Sequence, residues 1–133
     1  MGQIRGLAEI VLSVQDVQKS LTFYRDLLGF EVISPPGLPA VFLRVGGPRE
    51  GVPQQIVLVP RPADAAPLDG QPPRRNMHHL GLEVAAEALQ AERERIEKEG
   101  IPTRSGVHPF LAVEAFYVDD PDGNEIEIVA RTG

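Results

Sequence analysis

Apolar and polar positions along the first half of the chain predict four strands and one helix. Every second residue from Ala8 to Val14 is apolar, which is typical of a strand with one buried face. After Asp16, a residue type that caps helices, apolar side chains recur at helical spacing until Gly29 supplies a left-handed end. The predicted order is strand, helix, strand, strand, strand, at residues 7–14, 16–28, 30–33, 40–45 and 54–59.

The same order returns in the second half. We predict strands at 79–84, 101–104, 114–118 and 125–130, with a helix at 87–99 that ends at Gly100. Between the halves, residues 63–76 contain Ala, Pro, Asp, Gly and Arg without apolar periodicity. This segment is the predicted linker.

The two halves correspond at the same offset of 70 residues at both of their ends. The offset takes Glu9 to His79 at the start of each half, and it takes Val57 to Glu127 near the end of each half. The apolar phase of the strands is preserved throughout. We therefore predict a single α+β domain, 1–133, made of two βαβββ modules, 1–62 and 77–133.

Four equivalent positions lie on the strand phase that does not pack against the helices. They are Glu9, Val57, His79 and Glu127. If two curved sheets face each other, these positions converge on the concave side. Two carboxylates and an imidazole on rigid strands form a ligand set for a divalent cation.

The composition narrows the classes of function. Of the 133 residues, 42% are hydrophobic and 24% charged, which is an ordinary globular mixture. The net charge of −6 argues against a nucleic-acid partner, and the absence of cysteine excludes disulfides and thiolate metal sites. No apolar run approaches the roughly 20 residues that span a membrane. The first residues lack an apolar secretory core, so we expect a cytoplasmic protein.

Two motifs resemble the vicinal oxygen chelate superfamily, which includes glyoxalase I, bleomycin-resistance proteins and extradiol dioxygenases. The first motif runs from Val14 through Asp16, Ser20 and Phe23-Tyr24 to Leu28-Gly29-Phe30. The second combines His79-Leu80-x-Leu82-x-Val84 with the run Phe116-Tyr117-x-x-Asp120-Pro121-x-Gly123-Asn124-x-Ile126-Glu127. Together the motifs cover nearly the whole chain.

This resemblance implies a cupped mixed sheet built from the two modules, usually within a homodimer, with a metal ion in the cup. The implied metal ligands are Glu9, His79 and Glu127, while Val57 stands where a fourth ligand occurs in glyoxalase I. Oxygen and nitrogen ligands without sulfur suit Mn²⁺, Fe²⁺, Ni²⁺ or Zn²⁺. No organic cofactor is implied, and the expected partner is a small-molecule substrate that chelates the metal through adjacent oxygens.

Three functional interpretations stay open on the sequence alone. The first is a metal-dependent lyase or isomerase in which the metal stabilises an enolate or oxyanion and Glu9 or Glu127 acts as base. The second is a ring-cleaving extradiol dioxygenase, and the third is a metal-free binding protein like those of bleomycin resistance.

Two further residues, Tyr117 and His108, have two interpretations each, and His78 has one. Tyr117, ten residues before Glu127, is either a catalytic residue that hydrogen-bonds the substrate, as the resemblance implies, or a core aromatic. His78 is expected on the face opposite His79, and His108 either lies on the surface or contacts the substrate from a loop.

Overall fold

The computed structural model describes residues 2–3, 6–62 and 77–132, so the predicted linker 63–76 lies outside the described residues. The chain divides into two compact units, Met1–Ala66 and Pro67–Gly133. Each unit contains one four-stranded mixed sheet and one helical segment. Within the described part of the chain, no helix is long and apolar enough to cross a membrane.

The first unit has the predicted order of elements. Its elements are β1 (Glu9–Val14), α1 (Val17–Leu21), a π-helical segment (Thr22–Leu27), β2 (Glu31–Val32), β3 (Val41–Arg44) and β4 (Gln55–Pro60). The second unit repeats this order with small differences in the helix. Its elements are β5 (Leu80–Glu83), a 3₁₀ turn (Ala86–Ala88), α2 (Leu89–Lys98), β6 (Arg104–Gly106), β7 (Val113–Asp119) and β8 (Glu125–Arg131).

The two sheets have the same topology, and their parallel strand pairs have the same register. Their strand orders are β1-β4-β3-β2 and β5-β8-β7-β6, and in each the first and last strands run parallel. Ile10 pairs with Ile56 in the first sheet, and Leu80 pairs with Ile126 at the equivalent place in the second, 70 positions further along the chain as the repeat predicts. The offset does not extend to the third strand, because Phe42 and Tyr117 pair with the equivalent residues Val57 and Glu127.

The signals at the ends of the helices act as predicted. The Asp16 carboxylate accepts hydrogen bonds from the backbone N–H groups of Gln18 and Lys19, at 2.9 and 3.2 Å. Gly29 and Gly100 end the two helical segments with φ angles of +80° and +81°. The segment after α1 is π-helical rather than α-helical. Its two adjacent aromatic residues, Phe23 and Tyr24, are buried in the core.

The apolar strand phase forms the core of each unit, as predicted. The buried side chains of this phase on the paired first and last strands are Leu12, Val14, Ile56, Leu58, Leu80, Ile126, Ile128 and Ala130, while Val57 is buried on the opposite phase of β4. In the second unit Phe116, Val118 and Ile96 of α2 are also buried. The opposite face of each sheet is therefore free to carry polar side chains.

Several predicted strand boundaries differ from the observed ones by one to three residues, and two of these differences have a structural reason or consequence. The short strand expected at 101–104 is found at Arg104–Gly106, because Pro102 has no N–H to donate to a neighbouring strand. The strand expected to begin at His79 begins at Leu80, so His78 and His79 both precede it. This second shift affects the direction of the two histidine side chains.

Candidate functional site

The polar face of the second sheet brings together three of the predicted site residues. Tyr117 on β7 is paired directly with Glu127 on β8, and Glu127 is paired with Gly81 on β5. Residues paired across neighbouring strands point to the same face of a sheet. His79 lies two residues before Gly81, so its side chain can reach the same group.

Tyr117, Glu127 and His79 lie close together. The Tyr117 hydroxyl donates a hydrogen bond of 2.7 Å to Oε2 of Glu127. Nε2 of His79 lies 3.7 Å from the same oxygen, and the rings of His79 and Tyr117 meet edge to face at 5.7 Å. Only 14% of the Glu127 side chain is exposed, against 35% for His79. The carboxylate is thus largely withdrawn from water while the imidazole borders the solvent.

The hydrogen bond to Glu127 keeps the Tyr117 hydroxyl protonated. It is the largest cause of a rise in the pKa of Tyr117 above its ordinary value, and burial and the charges of Glu127 and Glu125 add to it. At neutral pH the hydroxyl is therefore a hydrogen-bond donor. A donor held in place beside a carboxylate is also suited to stabilising negative charge on a bound molecule.

The side chains of Tyr117 and Glu127 occupy space that is available because two neighbouring positions are glycine. A Cβ atom on Gly81 would lie 3.3 Å from Oε1 of Glu127. A Cβ atom on Gly106 would lie 3.0 Å from Cδ2 and Cζ of the Tyr117 ring, and closer still to Cε2. The ring therefore packs directly over the backbone of β6, a contact that the sequence analysis did not predict.

The side chain of His78 lies beside His79, and the expectation that it points to the opposite face is wrong. The Nδ1 atoms of the two rings are 2.8 Å apart, and the ring planes are inclined at 75°. Alternation between faces applies inside a strand, but both histidines precede β5. Two neighbouring histidines just before a strand were the only signal for this contact in the sequence.

A second group of donor atoms also includes His79. One donor atom each from His78, His79 and Glu125 lie within 4.8 Å of one another. Glu125, however, has a cationic neighbour, since its carboxylate lies 3.5 Å from the guanidinium of Arg104. The same guanidinium also pairs with Asp119 at 2.8 Å. The two carboxylates next to His79 thus differ in their surroundings, an arginine for Glu125 and a tyrosine hydroxyl for Glu127.

The pair formed by His79 and Glu127 has the geometry of two ligands of one ion. Bonds of about 2.0–2.2 Å to nitrogen and oxygen, at angles between 90° and 180°, separate their donor atoms by about 3.0–4.2 Å. The observed 3.7 Å falls within this span. It is also longer than an N–H···O hydrogen bond. Imidazole and carboxylate are donors that suit divalent transition metals.

The remaining predicted positions belong to the first unit. Glu9 is exposed at the start of β1 and pairs with Gln55, while Val57 is buried and pairs with Val11 and Phe42. Phe42 therefore occupies in the first sheet the place of Tyr117 in the second. The membership of Glu9 in the same site as His79 and Glu127 stays a prediction.

His108 has a local structural role in the loop between β6 and β7. Its Nδ1 accepts hydrogen bonds from the backbone N–H groups of Phe110 and Leu111, at 3.2 and 2.9 Å. Its ring also contacts the ring of Phe110, at 4.7 Å between centroids. The nitrogen that accepts these bonds carries no proton, so the neutral ring is protonated at Nε2.

The chain is similar in sequence to known dioxygenases. Over 92% of its length the chain is 30% identical to a biphenyl-2,3-diol 1,2-dioxygenase of Paraburkholderia xenovorans (strain LB400). It is 33% identical, again over 92% of its length, to an iron-dependent extradiol dioxygenase of Rhodococcus jostii (strain RHA1). The chain spans only 40% and 42% of the lengths of these two relatives.

A solved structure and a family profile complete the comparison. The crystal structure of a glyoxalase/dioxygenase from Nostoc punctiforme has the same fold, with a TM-score of 0.75 and 22% identity over 99% of this chain and 94% of that one. Residues 6–128 match the Glyoxalase/Bleomycin resistance protein/Dioxygenase superfamily. The repeated βαβββ topology, the two sequence motifs and this match lead to one conclusion: the chain belongs to the Glyoxalase/Bleomycin resistance protein/Dioxygenase superfamily.

Proposed function

We propose that the chain forms a divalent-metal centre that acts on a small substrate bound through two adjacent oxygens. The observation that carries this proposal is the 3.7 Å separation of His79 Nε2 and Glu127 Oε2 beside the Tyr117 hydroxyl. Glu9 is the third proposed ligand, on the strength of its equivalence to His79 in the repeat. The similarity to the iron-dependent extradiol dioxygenase of Rhodococcus jostii supports the presence of a metal.

The donor set limits the choice of metal. One imidazole and two carboxylates suit Mn²⁺, Fe²⁺, Ni²⁺ or Zn²⁺, and the carboxylates neutralise the charge of the ion. Val57, at the place equivalent to Glu127, is an apolar residue that is only 3% exposed and offers no donor. Three protein ligands leave coordination positions for water and substrate oxygens.

The protein residues then have distinct chemical roles. When bound, the metal supplies Lewis-acid stabilisation of negative charge on a substrate oxygen. The single hydroxyl proton of Tyr117 is donated to Glu127 in the absence of substrate; once Glu127 binds the metal, that proton would be donated to a substrate oxygen instead. Glu127 or Glu9 removes a proton from a carbon beside a carbonyl group, which is the step that a lyase or isomerase of this kind requires.

Ring cleavage by an extradiol dioxygenase is the second candidate. One observation favours it: the relatives at 30% and 33% identity are dioxygenases of diols. This reaction also needs a redox-active metal and O₂. Because the chain spans about 40% of those relatives, the activity and substrate of the whole protein are part of the proposal.

Metal analysis of the untagged protein tests the centre. We expect about one equivalent of metal in the wild type after loading, and strong loss of metal in His79→Ala and Glu127→Gln. Glu114→Gln, which changes an exposed carboxylate on β7, is the matched control and should bind metal normally. Equal and negligible metal in all four proteins would refute the centre and support the metal-free binding function instead.

A substrate screen then separates the two reactions. Protein loaded with Ni²⁺ or Zn²⁺ is assayed with the glutathione adducts of α-ketoaldehydes, and protein loaded with Fe²⁺ under air is assayed with catechols. Formation of a thioester supports the lyase, and formation of a coloured ring-cleavage product supports the dioxygenase. Tyr117→Phe should slow the supported reaction, because it removes the hydroxyl donor while keeping the ring.

We further infer that the protein is a homodimer. β1 is an edge strand of its own four-stranded sheet, and Val11 in the middle of β1 is 53% exposed. Edge strands with exposed apolar residues are commonly covered by a partner. Sedimentation that detects only monomer at micromolar concentration would contradict this inference.

A further inference from the structure

The rings of His78 and His79 are close enough to form a hydrogen bond with each other. Their Nδ1 atoms lie 2.8 Å apart, a hydrogen-bond distance, so one ring donates and the other accepts. In a neutral His79 ring, the choice of donor decides whether the other ring nitrogen, Nε2, carries a proton or a free lone pair. That atom is the one that faces Glu127.

The distance to Glu127 indicates which ring donates. If His79 accepted at Nδ1, its neutral ring would carry the proton on Nε2 and would be expected to donate to Glu127 at about 2.7–3.2 Å. The observed separation of 3.7 Å is too long for that bond. It fits two lone-pair atoms with room for a cation between them. This separation is the one expected if His79 donates at Nδ1 and His78 accepts.

We propose that His78 is a positioning residue that holds His79 in the tautomer protonated at Nδ1, with Nε2 free to bind a metal ion. This inference rests on the proposed function, in which His79 is a metal ligand. A histidine ligand commonly donates its other ring N–H to a neighbouring acceptor, which fixes both the tautomer and the orientation of the ring. Here the acceptor is the imidazole of the preceding residue.

Two substitutions separate the hydrogen bond from ring packing. His78→Phe keeps a ring beside His79 and removes the acceptor. His78→Asn loses the ring but keeps an oxygen near the position of Nδ1. If His78 acts through its acceptor, the phenylalanine variant loses the effect and the asparagine variant retains it. A role in packing alone predicts the reverse order.

Nitrogen NMR of the metal-free protein at alkaline pH reports the tautomer directly. The chain has three histidines, and His108, protonated at Nε2, serves as an internal reference of the opposite tautomer. We expect His79 to be protonated at Nδ1 in the wild type and in His78→Asn. In His78→Phe we expect a mixture of tautomers. A wild-type His79 protonated at Nε2, or an unchanged tautomer in His78→Phe, would overturn the proposal.

Zn²⁺ binding measured by calorimetry gives the second readout. Loss of a hydrogen-bond partner of a metal-ligating histidine lowers metal affinity by about 10–100-fold, so we expect that loss in His78→Phe and near wild-type affinity in His78→Asn. If His78 is instead itself a ligand, together with Glu125, then Glu125→Gln weakens binding as much as His78→Phe while Glu127→Gln does not. That pattern would overturn the positioning role.

The two readouts also separate this inference from the proposed function. Wild-type protein that binds no Zn²⁺, but whose His79 tautomer depends on His78, refutes the metal centre and supports the positioning role. Wild-type protein that binds Zn²⁺ with equal affinity in His78→Phe supports the metal centre and refutes the positioning role.

Discussion

Gly106→Ala should disturb the hydrogen bond between Tyr117 and Glu127 without altering either residue. The added Cβ lies 3.0 Å from two atoms of the Tyr117 ring and closer to a third, whereas ordinary contacts begin at 3.4 Å. The rigid ring has to move away by at least this difference, and its hydroxyl moves with it. The 2.7 Å hydrogen bond to Glu127 is then stretched or lost.

The energetic cost has two sources. An added methyl group in a filled space typically costs about 1–3 kcal/mol. A hydrogen bond to a charged acceptor contributes about 1.5–3 kcal/mol, and water can replace only part of it because the Glu127 side chain is only 14% exposed. We therefore expect Gly106→Ala to lower the free energy of unfolding by at least the steric cost of about 1–3 kcal/mol.

Two measurements check this prediction. Urea denaturation gives the loss of stability, and carbon NMR of labelled tyrosine gives the titration of Tyr117, which is one of only two tyrosines. Because the hydrogen bond to Glu127 is the main cause of the raised pKa, that pKa should fall toward its ordinary value in Gly106→Ala. Gly47→Ala is the matched control, since its added Cβ has no atom within 4 Å. A Tyr117 titration that is unchanged in Gly106→Ala would refute the reasoning.

Substitutions at three other positions test the fold and the site. The pKa of Tyr117 is raised in the folded state, so this residue contributes stability that is present below about pH 10 and is lost as pH rises through the folded-state pKa. Tyr117→Phe has no hydroxyl to titrate. Denaturation of this variant should therefore not show that loss of stability at alkaline pH. Asp16→Ala should lower the free energy of unfolding by about 1 kcal/mol and Asp16→Ser by much less, measured in urea, because serine also caps helices. Asp120→Ala should cost about 2–3 kcal/mol in the same assay, because the buried carboxylate accepts from the backbone N–H groups of Asp122 and Asn124. Equal denaturation midpoints of wild type and Asp120→Ala would contradict a structural role for this carboxylate.

The order of the elements and the duplication could be predicted from the sequence alone. Strand phase, helix spacing and the caps at Asp16, Gly29 and Gly100 depend on the local backbone and on burial of one face, and both are visible as periodicity. The offset of 70 residues also identified His79 and Glu127 as equivalent to Glu9 and Val57. Local rules were sufficient for these features because each involves residues within one element or its copy.

The contacts between side chains could be known only from the tertiary structure. The pairing of β7 with β8 brings the Tyr117 hydroxyl to Glu127 and assigns the core position to the neighbouring Phe116. The late start of β5 turns His78 toward His79, and the packing of the Tyr117 ring over β6 requires the glycine at position 106. These contacts depend on the register between strands distant in sequence and on where pairing begins. Both are set by the packing of the whole sheet rather than by the residues on either side of each position.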